Sequence, residues 1–235
     1  MQSIRQISLY RFGWVVCRAF FALCPMRVFG EENIPESEPA ILASNHVSYL
    51  DPPAIGCAIH RECWFVAKSQ LFSLPLLGPL LPKLHAFPVR RGTADRSAIR
   101  RCLELLDSGE LVVIFPEGTR SRDGRLMPAE PGIGIVALSS KAPVVPIALT
   151  GTDNALPRNS PILRPSPITV RIGRPITFDD ITQGPMTRES ILEVGQRVMR
   201  AIAELLVLDN PSAVPTELLD HGGVPKEAPS TLSQS

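Results

Sequence analysis

From residue 39 onward, short apolar runs alternate with amphipathic stretches, and this alternation constrains the fold more than any other feature of the chain. The runs at 40–44, 63–66, 85–89, 111–115, 144–149 and 168–172 have the length of strands. Helical patterns lie between them. The clearest covers 94–107, where Ala98, Ile99, Cys102, Leu105 and Leu106 form one stripe. Thr93 is its expected cap, Asp95 sits in the first turn, and Gly109 follows the end. Further helices are expected near 133–141 and 187–208. Strands alternating with helices cover both faces of a parallel sheet. The expected fold is therefore α/β, with a mixed, largely parallel sheet flanked by helices. Pro146 falls inside a strand pattern, which points to an edge, a bulge or a strand start.

At 235 residues the chain suits one domain with appendages. Three parts are expected: an N-terminal amphipathic, membrane-associating helix over 1–29, a catalytic domain over 30–208, and a flexible tail over 209–235. In the first part, Arg5, Arg11, Arg18 and Arg27 interrupt an aromatic-rich apolar run at intervals near seven. The run is too broken to be a spanning helix of about 20 apolar residues. No small-residue cleavage site follows it, so it does not read as a signal peptide. An interfacial helix fits better, with arginines toward headgroups and Trp14, Phe20 and Phe21 at the acyl boundary. The competing reading packs the same helix on the protein's own core. The last part is rich in Pro, Gly, Ser and Glu with little periodicity, hence the expected tail.

A formal net charge of +1 argues against a nucleic-acid binder. The five cysteines form no C-x-x-C pair and are odd in number, as free thiols in a reducing compartment would be. Cys57, His60 and Cys63 are spaced three apart, which resembles metal-ligand spacing. On a helix these steps drift by about 120° in total, and a fourth ligand is missing. A buried helix face is the better reading, and no metal is expected.

Chemistry is suggested by three stretches. The first, Asn45-His46-Val47-Ser48-Tyr49-Leu50-Asp51-Pro52, follows an apolar run and precedes a helical one. Five residues on a continuous helix would turn about 500°, leaving His46 and Asp51 roughly 140° apart. The pair meets only if the loop bends. A histidine oriented by a carboxylate is a general base. Alternatively Asp51 caps a helix with proline behind it, and His46 is a core residue. The second stretch, 116–122, places Glu117, Gly118, Thr119 and Arg120 directly after an apolar strand, where loops of parallel sheets bind ligands. An arginine beside free backbone N–H groups suits a phosphate. Arg122, Asp123, Gly124 and Arg125 read as a solvated turn. In the third stretch, Phe87-Pro88-Val89 ends in Arg90, Arg91 and Gly92 before a helix start, which makes an anion site.

Four blocks now stand in order: Asn45-His46-x-Ser48-x-x-Asp51, Phe87-Pro88-Val89-x-Arg91, Phe115-Pro116-Glu117-Gly118-Thr119-Arg120-Ser121, and Val144-Val145-Pro146-Ile147-Ala148-Leu149. Together they resemble the glycerolipid acyltransferase family over roughly residues 30–205. The resemblance implies an enzyme of phospholipid biosynthesis. Such an enzyme moves a fatty acyl group from acyl-CoA or acyl carrier protein to the hydroxyl of 1-acyl-sn-glycerol-3-phosphate, forming phosphatidic acid. Acylation of another lysolipid or of glycerol-3-phosphate, and thioester hydrolysis, are the alternatives. By position, His46 is implied as general base and Asp51 as the acid that orients it. Arg91, Glu117, Gly118, Thr119 and Arg120 fall at substrate-binding positions, and the fourth block would line the acyl side. No cofactor is implied beyond the acyl donor as co-substrate. The implied partners are a lysophospholipid acceptor, the donor and a membrane surface, with no nucleic acid. The implied location is the cytoplasmic face of the cell membrane, peripheral or monotopic. Many family members carry an acid where this chain has Arg90, so the sequence leaves open which of Arg90 and Arg91 holds phosphate. Lys68 and the apolar stretch 69–81 stay open as well, the first as an oxyanion donor and the second as acyl groove or core.

Overall fold

The computed structural model describes residues 10, 13–15, 17–19, 21, 22, 24–90, 95–158, 160 and 162–219. Its strands are β1 (Met26–Phe29), β2 (Ala40–Ser44), β3 (Cys63–Lys68), β4 (Ala86–Val89), β5 (Leu111–Ile114), β6 (Val144–Thr150) and β7 (Ile168–Ile172). They form one sheet in the order β1-β7-β6-β2-β5-β3-β4. Strands β2 to β6 run parallel to one another, and β7 is antiparallel to β6.

Alternation along the strands builds two cores. Ile41, Ala43, Val112, Val144 and Ala148 face one layer, whereas Ala40, Leu42, Leu111, Val113 and Val145 face the other. Over the first face lie α2 (Arg96–Asp107), α3 (Pro131–Ser140) and α4 (Arg188–Leu206). The α4 stripe of Val194, Val198, Met199 and Ile202 is buried throughout. Truncating Ile202 to Ala would cost roughly 2–5 kcal/mol. Over the second face lies α1 (Asp51–Ala58), seated by Ala54, Ile55 and Ala58.

The elements differ from expectation in particular places. Asp95, not Thr93, caps α2: its Oδ1 accepts from the backbone N–H of Ser97 and Ala98. The Ser97 hydroxyl, donating to the same oxygen at 2.5 Å, together with Arg90 N and these backbone bonds, holds the Asp95 carboxyl well below the usual carboxylate range. Thr93 lies outside the described residues. Pro146 is in an interior strand, not at an edge. It is tolerated because the returning chain bulges: Ile147 pairs with Ile172 and Val144 with Ile176, so one extra residue sits opposite the proline. Gly173 N still donates to the Pro146 carbonyl.

The stretch expected as an interfacial helix is helical in its described residues up to Phe21, then becomes strand β1, which pairs parallel with β7. Pro25 ends the helical part, and Met26–Phe29 alternates in burial as a strand does. The aromatics face inward. Tyr10 and Phe21 are buried, and Trp14 packs on the second core. Arg18 lies over the Trp14 ring at 4.6 Å. Phe20 lies outside the described residues. At the other end, Ala213 and Val214 are buried and Thr216–Leu219 is helical, so ordered packing extends past residue 209. Among the described residues, no helix is long and apolar enough to cross a membrane.

Candidate active site

The carboxyl ends of the parallel strands share one edge, and the first block leaves that edge from β2. Asn45 splices β2 to β6 with its side chain: Nδ2 donates to Leu149 O at 3.0 Å, and Leu149 N donates to Oδ1 at 2.7 Å. Spending the side chain on the ladder frees the backbone after it to turn. The loop then bends, and His46 Nδ1 meets Asp51 Oδ2 at 2.7 Å.

Asp51 is the first residue of α1 and is wholly buried. Its carboxylate does not cap the helix. Oδ2 reaches back to accept Val47 N at 2.7 Å and Ser48 N at 2.8 Å, and Oδ1 accepts Thr152 Oγ1 at 2.5 Å. Backbone N–H groups only donate, so Oδ2 is an acceptor and Nδ1 of a neutral His46 carries the proton toward it. The lone pair is then on Nε2, which no described residue bonds. The ring stacks on Phe115 at 4.1 Å with an interplanar angle of 22°. Held by a ring on its face and an acid at Nδ1, the imidazole is fixed in orientation and tautomer.

Glu117 is buried and serves this loop. Its Oε1 accepts His46 N at 2.8 Å, and its Oε2 accepts Met127 N at 3.1 Å. Burial pushes its carboxyl up to about 7, against the opposing pull of those two N–H donors. Ser121 N donates to His46 O at 2.8 Å, so the 117–121 loop grips His46 by both its N–H and its carbonyl. Gly118 turns that loop at φ +65°, where an added Cβ would lie 2.9 Å from Glu130 Cγ.

Two cavities flank the loop, and exposed Thr119 lines both. One, of about 570 Å³, is largely apolar, with walls that include Val66, Ile99, Ile114, Phe115, Ile133 and Val136. The other, of about 480 Å³, is lined by Arg120, Arg122, Arg125 and Arg158 with a single acid, Asp123. Arg120 stacks over the Tyr49 ring at 3.6 Å. Arg122 and Arg125, expected to be merely solvated, thus line a concavity at the candidate site.

Not every expected site residue joins this constellation. Arg91 lies outside the described residues. Arg90 is exposed and lines the apolar cavity, but its guanidinium faces Asp95, with Nε 3.6 Å from Oδ2. The fourth block is core strand: Val144, Val145, Ile147 and Leu149 are buried in β6 and line neither cavity. Cys57, His60 and Cys63 diverge, because the helix ends at Ala58: Cys57 is buried on α1, His60 lies beside Glu31, and Cys63 lies against the Tyr10 hydroxyl. Two contributors carry no motif signal. Thr152 follows the end of β6, and Arg158 donates Nη1 to the carbonyls of Arg120 and Ser121 at 2.7 and 2.9 Å. A polar residue just past a parallel strand, at the edge where ligands bind, was the available signal for Thr152.

Residues 25–150 match the model of the acyltransferase family. A 1-acyl-sn-glycerol-3-phosphate acyltransferase of Bacillus subtilis is 30% identical over 77% of this chain and 87% of its own length. The chloroplast 1-acyl-sn-glycerol-3-phosphate acyltransferase BAT2 of Brassica napus is 36% identical over 63% of this chain. The chain spans only 44% of that plant relative's length. The crystal structure of the 1-acyl-sn-glycerophosphate acyltransferase PlsC of Thermotoga maritima superposes with a TM-score of 0.67 at 26% identity, covering 85% of this chain and 79% of that one. The family model, a relative in sequence and a solved structure agree, and the chain belongs to the acyltransferase family.

Proposed function

We propose that the protein transfers a fatty acyl group from the thioester of acyl-CoA or acyl carrier protein to the free hydroxyl of 1-acyl-sn-glycerol-3-phosphate, giving phosphatidic acid. The observation that carries the reading is the buried His46–Asp51 contact of 2.7 Å, with Nδ1 committed and Nε2 left for a substrate proton. The names of the relatives point to the acceptor and the product class.

In the proposed reaction, Nε2 of His46 takes the proton of the acceptor hydroxyl as its oxygen attacks the thioester carbonyl. Asp51 stabilises the resulting imidazolium, as the acid of a hydrolase triad does. The tetrahedral intermediate collapses, the C–S bond breaks, and the imidazolium returns the proton to the leaving thiolate. The substrate hydroxyl is the nucleophile, so no acyl-enzyme forms. Ser48 is already engaged, donating its hydroxyl to Leu156 O at 3.0 Å. The arginine-lined cavity, with Arg120 at its loop, suits the acceptor's phosphate. The resemblance of the second block implies Arg91 as a further phosphate-binding residue. The apolar cavity beside Phe115 suits an acyl chain. Glu117, implied as a substrate-binding residue, acts in this scheme by holding His46 and Met127. Gly118 and Thr119 shape the loop between the cavities. The protein would work at the cytoplasmic surface of a membrane, where its lipid acceptor and product reside.

The test is direct. Purified protein is given radiolabelled acyl-CoA with and without 1-acyl-sn-glycerol-3-phosphate. Phosphatidic acid should appear only with acceptor, and His46→Ala should abolish it. Equal CoA release without acceptor would mark a thioester hydrolase instead, and full transfer by His46→Ala would refute the mechanism.

A further inference from the structure

We propose that the leucine- and proline-rich turn at residues 74–80 is the surface by which the protein docks on an anionic lipid bilayer, an inference that rests on the lipid acceptor proposed above. The stretch has the composition of core, yet it is outside the core. Leu76 is 92% exposed, and Leu74 and Leu80 are exposed beside it, as are Pro75 and Pro79. A lone exposed leucine means little, whereas a contiguous cluster of apolar side chains marks an interaction site.

The turn is built rather than frayed. Gly78 N donates to Leu74 O at 2.8 Å, and Leu80 N and Leu81 N both donate to Leu77 O. A Cβ on Gly78 would lie 2.1 Å from Phe72 O, so the close backbone approach depends on glycine. The apolar side chains are therefore presented on a fixed frame.

Charge selects the partner. No acidic residue occurs between Glu62 and Asp95, while exposed Lys68 and Lys83 bracket the turn. An apolar tip flanked along the chain by two exposed lysines complements anionic headgroups over an acyl interior. Position agrees. The segment leaves the carboxyl end of β3, on the same sheet edge from which the His46 loop leaves β2. A lipid drawn from beneath the turn would thus reach the edge that holds the base. The N-terminal helix is the rival surface: among its described residues Val15 is exposed, whereas Tyr10, Trp14 and Phe21 are turned onto the protein itself.

The experiment uses the full chain and sedimentation with vesicles of phosphatidylcholine alone or with phosphatidylglycerol. Leu76→Asp should weaken partition onto the mixed vesicles by at least about tenfold. Its transfer to a short-chain, monomeric lysophosphatidate should match the wild type, which also shows that the variant folds. Lys68→Gln with Lys83→Gln should remove the preference for phosphatidylglycerol. Wild-type partition by Leu76→Asp would overturn the proposal. So would a dimer, seen by light scattering, that this substitution splits while vesicle binding stays intact, because the surface would then join two copies. Failure of the wild type to acylate the short-chain acceptor would count against the proposed reaction, and vesicle binding would still be scored on its own.

Discussion

Thr152 donates its hydroxyl to Asp51 Oδ1 at 2.5 Å, and both side chains are wholly buried. The contact joins the start of α1 to the turn after β6, so the acid behind His46 is held from two directions. Oδ2 is fixed by the 47–48 backbone and Oδ1 by Thr152.

Thr152 is therefore a positioning residue. Thr152→Val keeps the shape and removes the donor, leaving a buried carboxylate oxygen unpaired at a cost of roughly 1–3 kcal/mol. The turnover of acyl transfer should fall about tenfold with KM for the acceptor little changed, and Thr152→Ser should restore it. A purely structural role would lower the melting temperature without that kcat-specific loss.

Asp51→Asn should lower kcat by roughly a thousandfold or more, because the imidazolium loses its counter-charge. The fold should survive. An Asn oxygen can accept the Val47 and Ser48 N–H groups, and the Thr152 hydroxyl can turn to accept from the amide. Steady-state kinetics beside thermal unfolding checks this. A collapse of stability with unchanged kcat in the folded fraction would assign Asp51 a structural role alone.

Glu117 gives a pH signature. Burial raises its carboxyl from the ordinary 4.5 to about 7 in the folded protein. The native state therefore binds more protons than the unfolded chain between those values, and this group's contribution to stability declines as pH rises from about 4.5 to 7. The decline is on the order of 3 kcal/mol. Glu117→Gln does not titrate, so its urea-unfolding free energy at pH 5 and pH 8 should differ by less than the wild type's. An equal pH dependence in both proteins would contradict the assignment.

Arg158 is exposed and holds the loop from outside. Arg158→Ala should change stability by less than about 1 kcal/mol, because exposed contacts contribute little. KM for the acceptor should rise about fivefold, because Arg120 would lose its anchored carbonyl. Lysine, with a single ammonium in place of a fork, should rescue only partly. An unchanged KM would show that the loop needs no such clamp.

The chain's own order carried a large part of this picture. Short apolar runs placed β2 to β7 close to where they lie, and the α2 stripe stood out by its 3.6-residue spacing. The His46–Asp51 pair was legible because its bent loop is local, contained within a few residues of backbone. β1 was not legible. Its four residues, Met26–Phe29, are extended only because β7, far along the chain, offers them an edge. The 74–80 turn was left open for a related reason. Composition says that leucines prefer to leave water, and it does not say whether protein or lipid receives them.

Sequence by itself determined what local chemistry can encode: the strand and helix periods, the bend between His46 and Asp51, and the proline–glycine loop with its arginines. Tertiary structure alone decided which distant groups complete the site. Thr152 and Arg158 reach it from beyond β6, Glu117 grips the His46 backbone rather than facing solvent, and the fourth block is core rather than lining. The physical reason is that a hydrogen bond across some seventy or a hundred residues leaves no period or composition behind. It exists only once the sheet has brought the strand ends to one edge.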